Sequence, residues 1–212
     1  MIFTYNNKKS IFIHIPKTGG NYIQTLFQIN KMSIDSIVKK YSNQDGIDRF
    51  EVNGILTEKK HQTMCEYYKK DPTCMMMPIY SCIRKPFERL VSFYFSPFRW
   101  VKHDPISNKF IYPKEVNFVE EEFVNLVNML IPAWQYLSLS EFDYVPPQNN
   151  IRILRTESLN KDLSIYFPNT KFPSRKINTS FYQNQSSLIR KSIDLRNFVE
   201  TSKHKKDLEI FY

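Results

Sequence analysis

Pro16-Lys17-Thr18-Gly19-Gly20-Asn21 lies between an apolar run and a helical pattern. Backbone N–H groups at such a turn face an anion, and the dipole of the following helix adds to their pull. Gly19 and Gly20 let backbone approach a ligand without a Cβ in the way. Lys17 supplies a point charge and Thr18 a hydroxyl donor. The logic is that of a phosphate loop, but the Walker pattern is absent, because here the lysine precedes the glycines. Alone, the turn equally fits a plain strand-to-helix connection. A second set is Arg84, Arg89 and Ser92. Arg84 stands where a second apolar run ends, the edge at which open α/β sheets bind ligands. An arginine fork with a hydroxyl two helical turns further on suits a second phosphate.

The elements that must position these groups are readable. Ile11-Phe-Ile-His-Ile15 is a short apolar run closed by Pro16, the pattern of a buried strand. Ile23, Leu26 and Phe27 then recur at helical spacing, so a helix is expected from Asn21, a favoured cap type. A hairpin is expected over Phe50–Leu56 around Asn53-Gly54. Residues 75–83 read as a second buried strand, entered at or just after Pro78 and closed by Arg84. Pro86 suits the first turn of the next helix, which carries Phe87, Leu90, Val91 and Tyr94 and ends by Pro97. Residues 98–116 read as a long loop, and Asn117 as the cap of a helix with an acidic first turn. Phe142–Val145 and Ile151–Leu154 read as strands, Ser158–Tyr166 as a short helix, 168–187 as loop and 187–203 as one amphipathic helix. Alternating strands and helices predict one α/β domain over residues 1–212, with a mainly parallel central sheet flanked by helices and a P-loop-like nucleotide-binding core.

His14-Ile-Pro-Lys-Thr-Gly-Gly20 followed by Arg84-Lys-Pro-Phe-Glu-Arg-Leu-Val-Ser-Phe-Tyr94 resembles the sulfotransferase superfamily. The likeness is to Golgi-type carbohydrate sulfotransferases, such as the heparan sulfate 2-O-sulfotransferase group, and to compact bacterial relatives. Ile153–Leu159, Asn178-Thr179-Ser180 and Asp207–Tyr212 resemble later family segments, so the likeness spans nearly the whole chain. It implies 3′-phosphoadenosine 5′-phosphosulfate (PAPS) as donor and 3′,5′-ADP as product. It assigns Pro16, Lys17, Thr18, Gly19, Gly20 and Asn21 to the 5′-phosphosulfate and Arg84 and Ser92 to the 3′-phosphate. Asn178 and Ser180 fall in a loop over the nucleotide. Asn21 departs from the family's usual Thr or Ser, and Lys85 from its Asp or Asn.

Sulfuryl transfer to a hydroxyl needs a proton acceptor, a cation beside the leaving oxygen and in-line geometry, by analogy with phosphoryl transfer. Lys17 is the expected cation. Among the four histidines, His14 falls inside the first strand, His103 in the long loop and His204 in a terminal lysine cluster. His61, in Lys60-His61-Gln62-Thr63, matches the stretch from which the resembled family takes its base, and Glu66 is the alternative. A histidine titrates near working pH and suits the role.

Thirty Lys+Arg against 21 Asp+Glu over 212 residues give a net charge of +9. The lysines are spread in pairs, and no nucleic-acid-binding signature accompanies them, so sequence-specific DNA reading is not expected. The subfamily resemblance implies a carbohydrate hydroxyl as acceptor, and the lysine-rich loops would suit an anionic glycan. Three cysteines are too few and of the wrong parity for a disulfide scaffold. His61, Cys65 and Cys74 match no common zinc spacing, so no metal is expected. No apolar stretch has the roughly 18 residues of a membrane helix, and residues 1–10 lack a secretory apolar core, which predicts a cytoplasmic protein without transmembrane segment. Three rivals stand beside the sulfotransferase reading: a nucleotide-dependent kinase on a related phosphate-loop fold, a non-catalytic nucleotide- or anion-binding protein of this fold, and a charge-driven nucleic-acid binder.

Overall fold

A computed structural model of the chain describes residues 1–35, 49–53, 55–100, 102–104, 106–147, 151–173 and 182–212. β1 (Ile2–Tyr5) and β2 (Lys8–Ile13) lead into α1 (Gly20–Ile29). β3 (Ser33–Asp35), β4 (Arg49–Val52) and β5 (Ile55–Lys59) follow, then α2 (Met64–Lys70) and β6 (Ile79–Ile83). Next come α3 (Pro86–Tyr94), α4 (Pro97–Trp100), β7 (Lys102–Asp104), β8 (Lys109–Ile111) and α5 (Glu120–Met129). α6 (Ala133–Leu137), β9 (Ile151–Arg155) and α7 (Leu159–Tyr166) precede α8 (Gln183–Ile189), α9 (Ile193–Thr201) and α10 (Lys205–Phe211). The chain divides into two compact units: Met1–Arg84, Ala133–Ile177 and Phe211 form the first, and Lys85–Pro132, Asn178–Ile210 and Tyr212 the second. Among the described residues no helix is long and apolar enough to cross a membrane.

The first unit holds a five-stranded sheet in the order β3-β1-β2-β6-β9. β2 pairs with β6, and β6 with β9, in parallel. β1 runs antiparallel to both β2 and β3. The sheet is therefore mixed, with the expected parallel strands confined to β2, β6 and β9. The extra edge arises in residues that read only as polar. Asn6 and Asn7 take φ of 49° and 59°, and Tyr5 pairs with Lys8 across them. Two successive left-handed residues make the tight primed turn whose twist suits a hairpin, and asparagine tolerates that backbone. β6 is buried along its whole length, as an inner parallel strand must be, and its one polar member, Ser81, donates to Ile13 O at 2.8 Å.

Strand alternation sends Phe12, Tyr80, Cys82 and Leu154 to one face of the sheet. There they meet Ile23, Leu26 and Phe27 of α1 and Leu163 of α7. Each such fully buried side chain contributes about 1.5–3 kcal/mol. Because β2, β6 and β9 are parallel, the three connections leaving their carboxyl ends share one edge of the sheet. The 14–19 loop, Arg84 and the turn at Thr156 all lie there. In the second unit Phe87, Leu90, Val91 and Tyr94 of α3 pack with Phe123, Leu126 and Val127 of α5 and with Leu195 and Val199 of α9.

Several local expectations are corrected. α1 begins one residue earlier, with Gly19 as its cap at φ 101°. Within the expected 98–116 loop, Lys102–Asp104 and Lys109–Ile111 pair as the antiparallel ribbon β7–β8. α5 is preceded by Val119 rather than capped by Asn117, and the Val119 N–H is satisfied at 3.0 Å by the Tyr94 hydroxyl. Phe142–Val145 forms no strand: Val145 donates to Ser138 Oγ at 2.9 Å and accepts from Leu139 N at 2.9 Å, a local brace instead of a ladder. The helix expected over 187–203 is two, broken before Ser192, whose hydroxyl accepts from Leu195 N at 3.3 Å. The turn at Gly54 and part of the 168–187 loop lie outside the described residues.

Candidate active site

The loop between β2 and α1 is shaped by two left-handed residues, Lys17 at φ 67° and Gly19 at φ 101°. Glycine adopts that backbone freely. At a lysine it is uncommon and held by its surroundings. Thr18 is fully buried and its Oγ1 donates to Ile15 O at 2.8 Å, so its hydroxyl braces the loop. No side chain caps the first turn of α1. Backbone N–H groups and the positive end of the helix dipole therefore define this corner. Thr156 ties the edge together: its Oγ1 lies 2.9 Å from Thr18 O and 2.8 Å from Ile83 O, linking the first loop to the end of β6.

Gly20 is required by a neighbour. A Cβ there would fall 1.8 Å from His14 Nε2. The His14 ring, 5% exposed, stacks on that of His61 with centroids 4.6 Å apart and planes 27° apart. His61 Nδ1 lies 3.1 Å from His14 O. A carbonyl oxygen only accepts, so Nδ1 carries the proton and Nε2 of neutral His61 keeps its lone pair. The imidazole is thus oriented as a proton acceptor.

Three cations bear on one another here. Lys60 Nζ donates to Asn21 Oδ1 at 3.1 Å. Burial, then the positive charges of Arg84 and Lys60, hold the Lys17 ammonium below its ordinary range. Burial foremost, with His61, Lys60 and Lys17 contributing, keeps His14 well below the usual histidine range, so it is neutral. Like charges gathered beside a helix N-terminus cost energy that an anion recovers, and such perturbed groups mark candidate sites. Glu66 has another task. Its carboxylate accepts from Thr63 N at 2.7 Å while Thr63 Oγ1 accepts from Glu66 N, a capping box at the start of α2. Burial raises its carboxyl, but the Thr63 and Lys59 bonds outweigh that and leave it below the usual range.

Lys17, Thr18, Gly19, Gly20, Asn21 and Arg84 thus share the first unit's sheet edge with His61, and Pro16 ends the strand that feeds it. Ser92 lies on α3 of the second unit, half-buried. Asn178 and Ser180 lie outside the described residues. Sequence reasoning passed over three participants. Lys60 read as surface charge, Thr156 as part of a motif without a role, and His14 as packing. The parity of Lys60 and His61 with the glycine turn gave no local signal, because their meeting is tertiary. The corner gathers cations beside a helix N-terminus, chemistry that suits a multiply charged anion, with the His61 imidazole next to it. No protein-family model, no curated protein and no solved structure matches this chain.

Proposed function

We propose that this chain is an O-sulfotransferase that uses PAPS as donor and a hydroxyl, carried by a glycan, as acceptor. The observation that carries the reading is the joining of two things at one corner. Lys60 is bonded to Asn21 in the first turn of a helix that no side chain caps, the charges of Arg84 and Lys60 bear on Lys17 in the loop before it, and His61 turns Nδ1 to the His14 carbonyl, which leaves Nε2 as the nitrogen to accept a proton. A phosphate loop alone suits any nucleotide. The motif resemblance, and a base in place, select sulfuryl transfer over kinase chemistry.

PAPS supplies a sulfuryl group joined to a phosphate that departs readily. The loop N–H groups and Lys17 bind the 5′ side, and Arg84 binds the 3′-phosphate. His61 Nε2 takes the acceptor's hydroxyl proton while the acceptor oxygen bonds to sulfur. The bond from sulfur to the bridging phosphate oxygen breaks, and that oxygen keeps the electron pair, met by the Lys17 charge. The products are a sulfate ester, 3′,5′-ADP and a proton. A placed base contributes roughly 10²–10⁴-fold to rate. A glycan acceptor follows from the subfamily likeness, and the +9 net charge suits an anionic one.

The test is thermal melting with 3′,5′-ADP, 5′-AMP and ATP–Mg²⁺. At about 100 times its dissociation constant a ligand adds roughly 2.7 kcal/mol. The expected result is a shift with 3′,5′-ADP that Arg84→Ala removes and His61→Ala retains, with transfer to a glycan panel lost in the latter. An equal or larger shift with ATP–Mg²⁺ would instead favour a kinase. Binding of 3′,5′-ADP without transfer to any acceptor would favour a non-catalytic protein.

A further inference from the structure

Among the described residues, β7 and β8 pair only with each other. Two strands alone are marginal in water, and here the turn that joins them is braced. The Asp104 carboxylate accepts from Ile106 N at 3.0 Å, from Ser107 N at 3.4 Å and from the Ser107 hydroxyl, and Asn108 takes a left-handed φ of 51°. What this braced turn presents is apolar: Ile106 is 95% exposed. Behind it the register sets Lys109 opposite Asp104 and Ile111 opposite Lys102. Directly opposed residues share a face, so Lys102, Lys109 and the exposed Ile111 lie on one side of the ribbon. Arg99 adds a cation just before β7. Its exposed guanidinium lies 5.2 Å from the Tyr94 ring centroid and 5.1 Å from that of Trp100, rings that steady it without neutralising it. Among the described residues Arg99, Lys102 and Lys109 form no ion pair, and the carboxylate between them, Asp104, is taken up by the turn.

We propose that the β7–β8 ribbon is a membrane-docking element: Ile106 enters the surface of a bilayer that carries anionic phospholipid, and Lys102, Lys109 and Arg99 meet its headgroups. This does not depend on the sulfotransferase reading. Strands rise about 3.3 Å per residue, so Lys102 and Ile111 stand about 7 Å behind Lys109. A tip inserted to the shallow depth of an interfacial element therefore leaves the lysines among the phosphates, their stems along the apolar boundary. The mixture of groups selects the partner. A polyanionic glycan or a nucleic acid would be served by the cations alone and gives an exposed isoleucine nothing to enter. A specific protein interface takes about 1,000 Å² or more, which one tip and one ribbon face do not supply. A bilayer needs no matching pocket, accepts apolar side chains and attracts each nearby cation.

Sedimentation of the whole chain with vesicles tests this. The chain should pellet with vesicles of two parts phosphatidylcholine to one of phosphatidylserine. It should bind phosphatidylcholine alone about tenfold more weakly, and salt should loosen the mixed-vesicle complex. Ile106→Ser changes no charge and should weaken binding about tenfold, the loss of one isoleucine from the bilayer surface. Lys102→Gln and Lys109→Gln should each weaken it about fivefold. Ile106→Trp should bind at least as well as the wild type, and its added emission should shift to the blue on the mixed vesicles. Absence of binding by the wild type overturns the proposal. So does binding that Ile106→Ser leaves unchanged, because the net charge of +9 alone would then hold the chain to the vesicle. Two further results also overturn it when vesicles are not bound: retention on heparin that the lysine variants lose, which would make the ribbon a glycan contact, and self-association that Ile106→Ser abolishes, which would make it a contact between copies. The substituted positions are exposed, so unchanged melting of the variants separates these outcomes from misfolding.

Discussion

Both units gather cations at a helix end, but at opposite ends. In the second unit Arg89, Lys203 and His204 converge on the carboxyl end of α5. The Arg89 guanidinium donates twice to Ile131 O at 3.0 Å, Lys203 Nζ donates to Asn128 O at 2.6 Å, and His204 Nε2 meets Val127 O at 3.1 Å. Val127 O and Asn128 O belong to the last turn of α5 and carry the negative end of its dipole, Ile131 O lies just beyond the helix, and each accepts a hydrogen bond, although burial and the charge of Arg89 hold the Lys203 ammonium below its ordinary range. In the first unit Lys17, Lys60 and Arg84 gather by the amino end of α1, where the dipole is positive. The first arrangement stabilises the fold. The second opposes it, because burial and like charges there lower the Lys17 ammonium. Residue type alone does not separate the two; the end of the helix does.

The sharpest way to break that comparison is to remove one cation from each cluster. Arg89 has no exposed surface, so Arg89→Met removes a buried guanidinium and both of its hydrogen bonds to the partly buried Ile131 carbonyl. A loss of about 3 kcal/mol is expected, or roughly 6–12 °C in melting midpoint for a chain of this size. Lys17→Met relieves repulsion, and without ligand should melt no lower than the wild type. A Lys17 variant that melts as low as the Arg89 variant would make the first cluster structural too. A smaller effect is expected at Gly20. Helix propensity alone favours Gly20→Ala by about 1 kcal/mol. The new Cβ would meet His14 Nε2 at 1.8 Å, so the melting midpoint should fall instead. His14→Ala in the same background should restore much of it. Gly20→Ala melting above wild type would show that the His14 ring is not fixed against the helix.

What was legible in the sequence follows from the range of the signal. The run 11–15, the glycine turn and the helix after it are local patterns, and β2, the loop and α1 appear within two or three residues of where they were expected. Pro86 at the first turn of α3 is equally local. β1 was missed because its strand is short and only half-buried, although Asn6-Asn7 is a turn signal in plain view. Phe142–Val145 has a strand's composition, but among the described residues it joins no sheet, and Ser138 and Leu139 take up the Val145 backbone groups. At the site, Lys17, Gly19 and Gly20 were visible because the glycine-bearing turn between strand and helix is contiguous. The Lys60–Asn21 bond and the His14–His61 stack join residues 39 and 47 positions apart, and no spacing rule reports them.

The weakest effect expected is the pH dependence of stability from His14, and it separates the clusters once more. His14 is buried and neutral, its proton affinity depressed foremost by burial and then by its neighbour His61 and the positive charges of Lys60, the Met1 amino group and Lys17. In the unfolded chain the same imidazole titrates near about 6.5. Below that pH the unfolded chain takes up a proton that the native protein refuses. Stability is therefore fully present above about pH 6.5 and falls as the solution is acidified, at no more than about 1.4 kcal/mol per pH unit. That is roughly 3–5 °C per unit for this chain. His14→Gln cannot titrate, so its melting midpoint should fall less steeply between pH 6.5 and 5. If the proposed donor site holds, saturating 3′,5′-ADP would bring negative charge to the Lys17 side and should flatten the wild-type slope toward the variant's. Equal slopes in the two proteins would mean that His14 exchanges protons freely, and the histidine pair would then not be the dry, neutral support that His61 needs to act as a base.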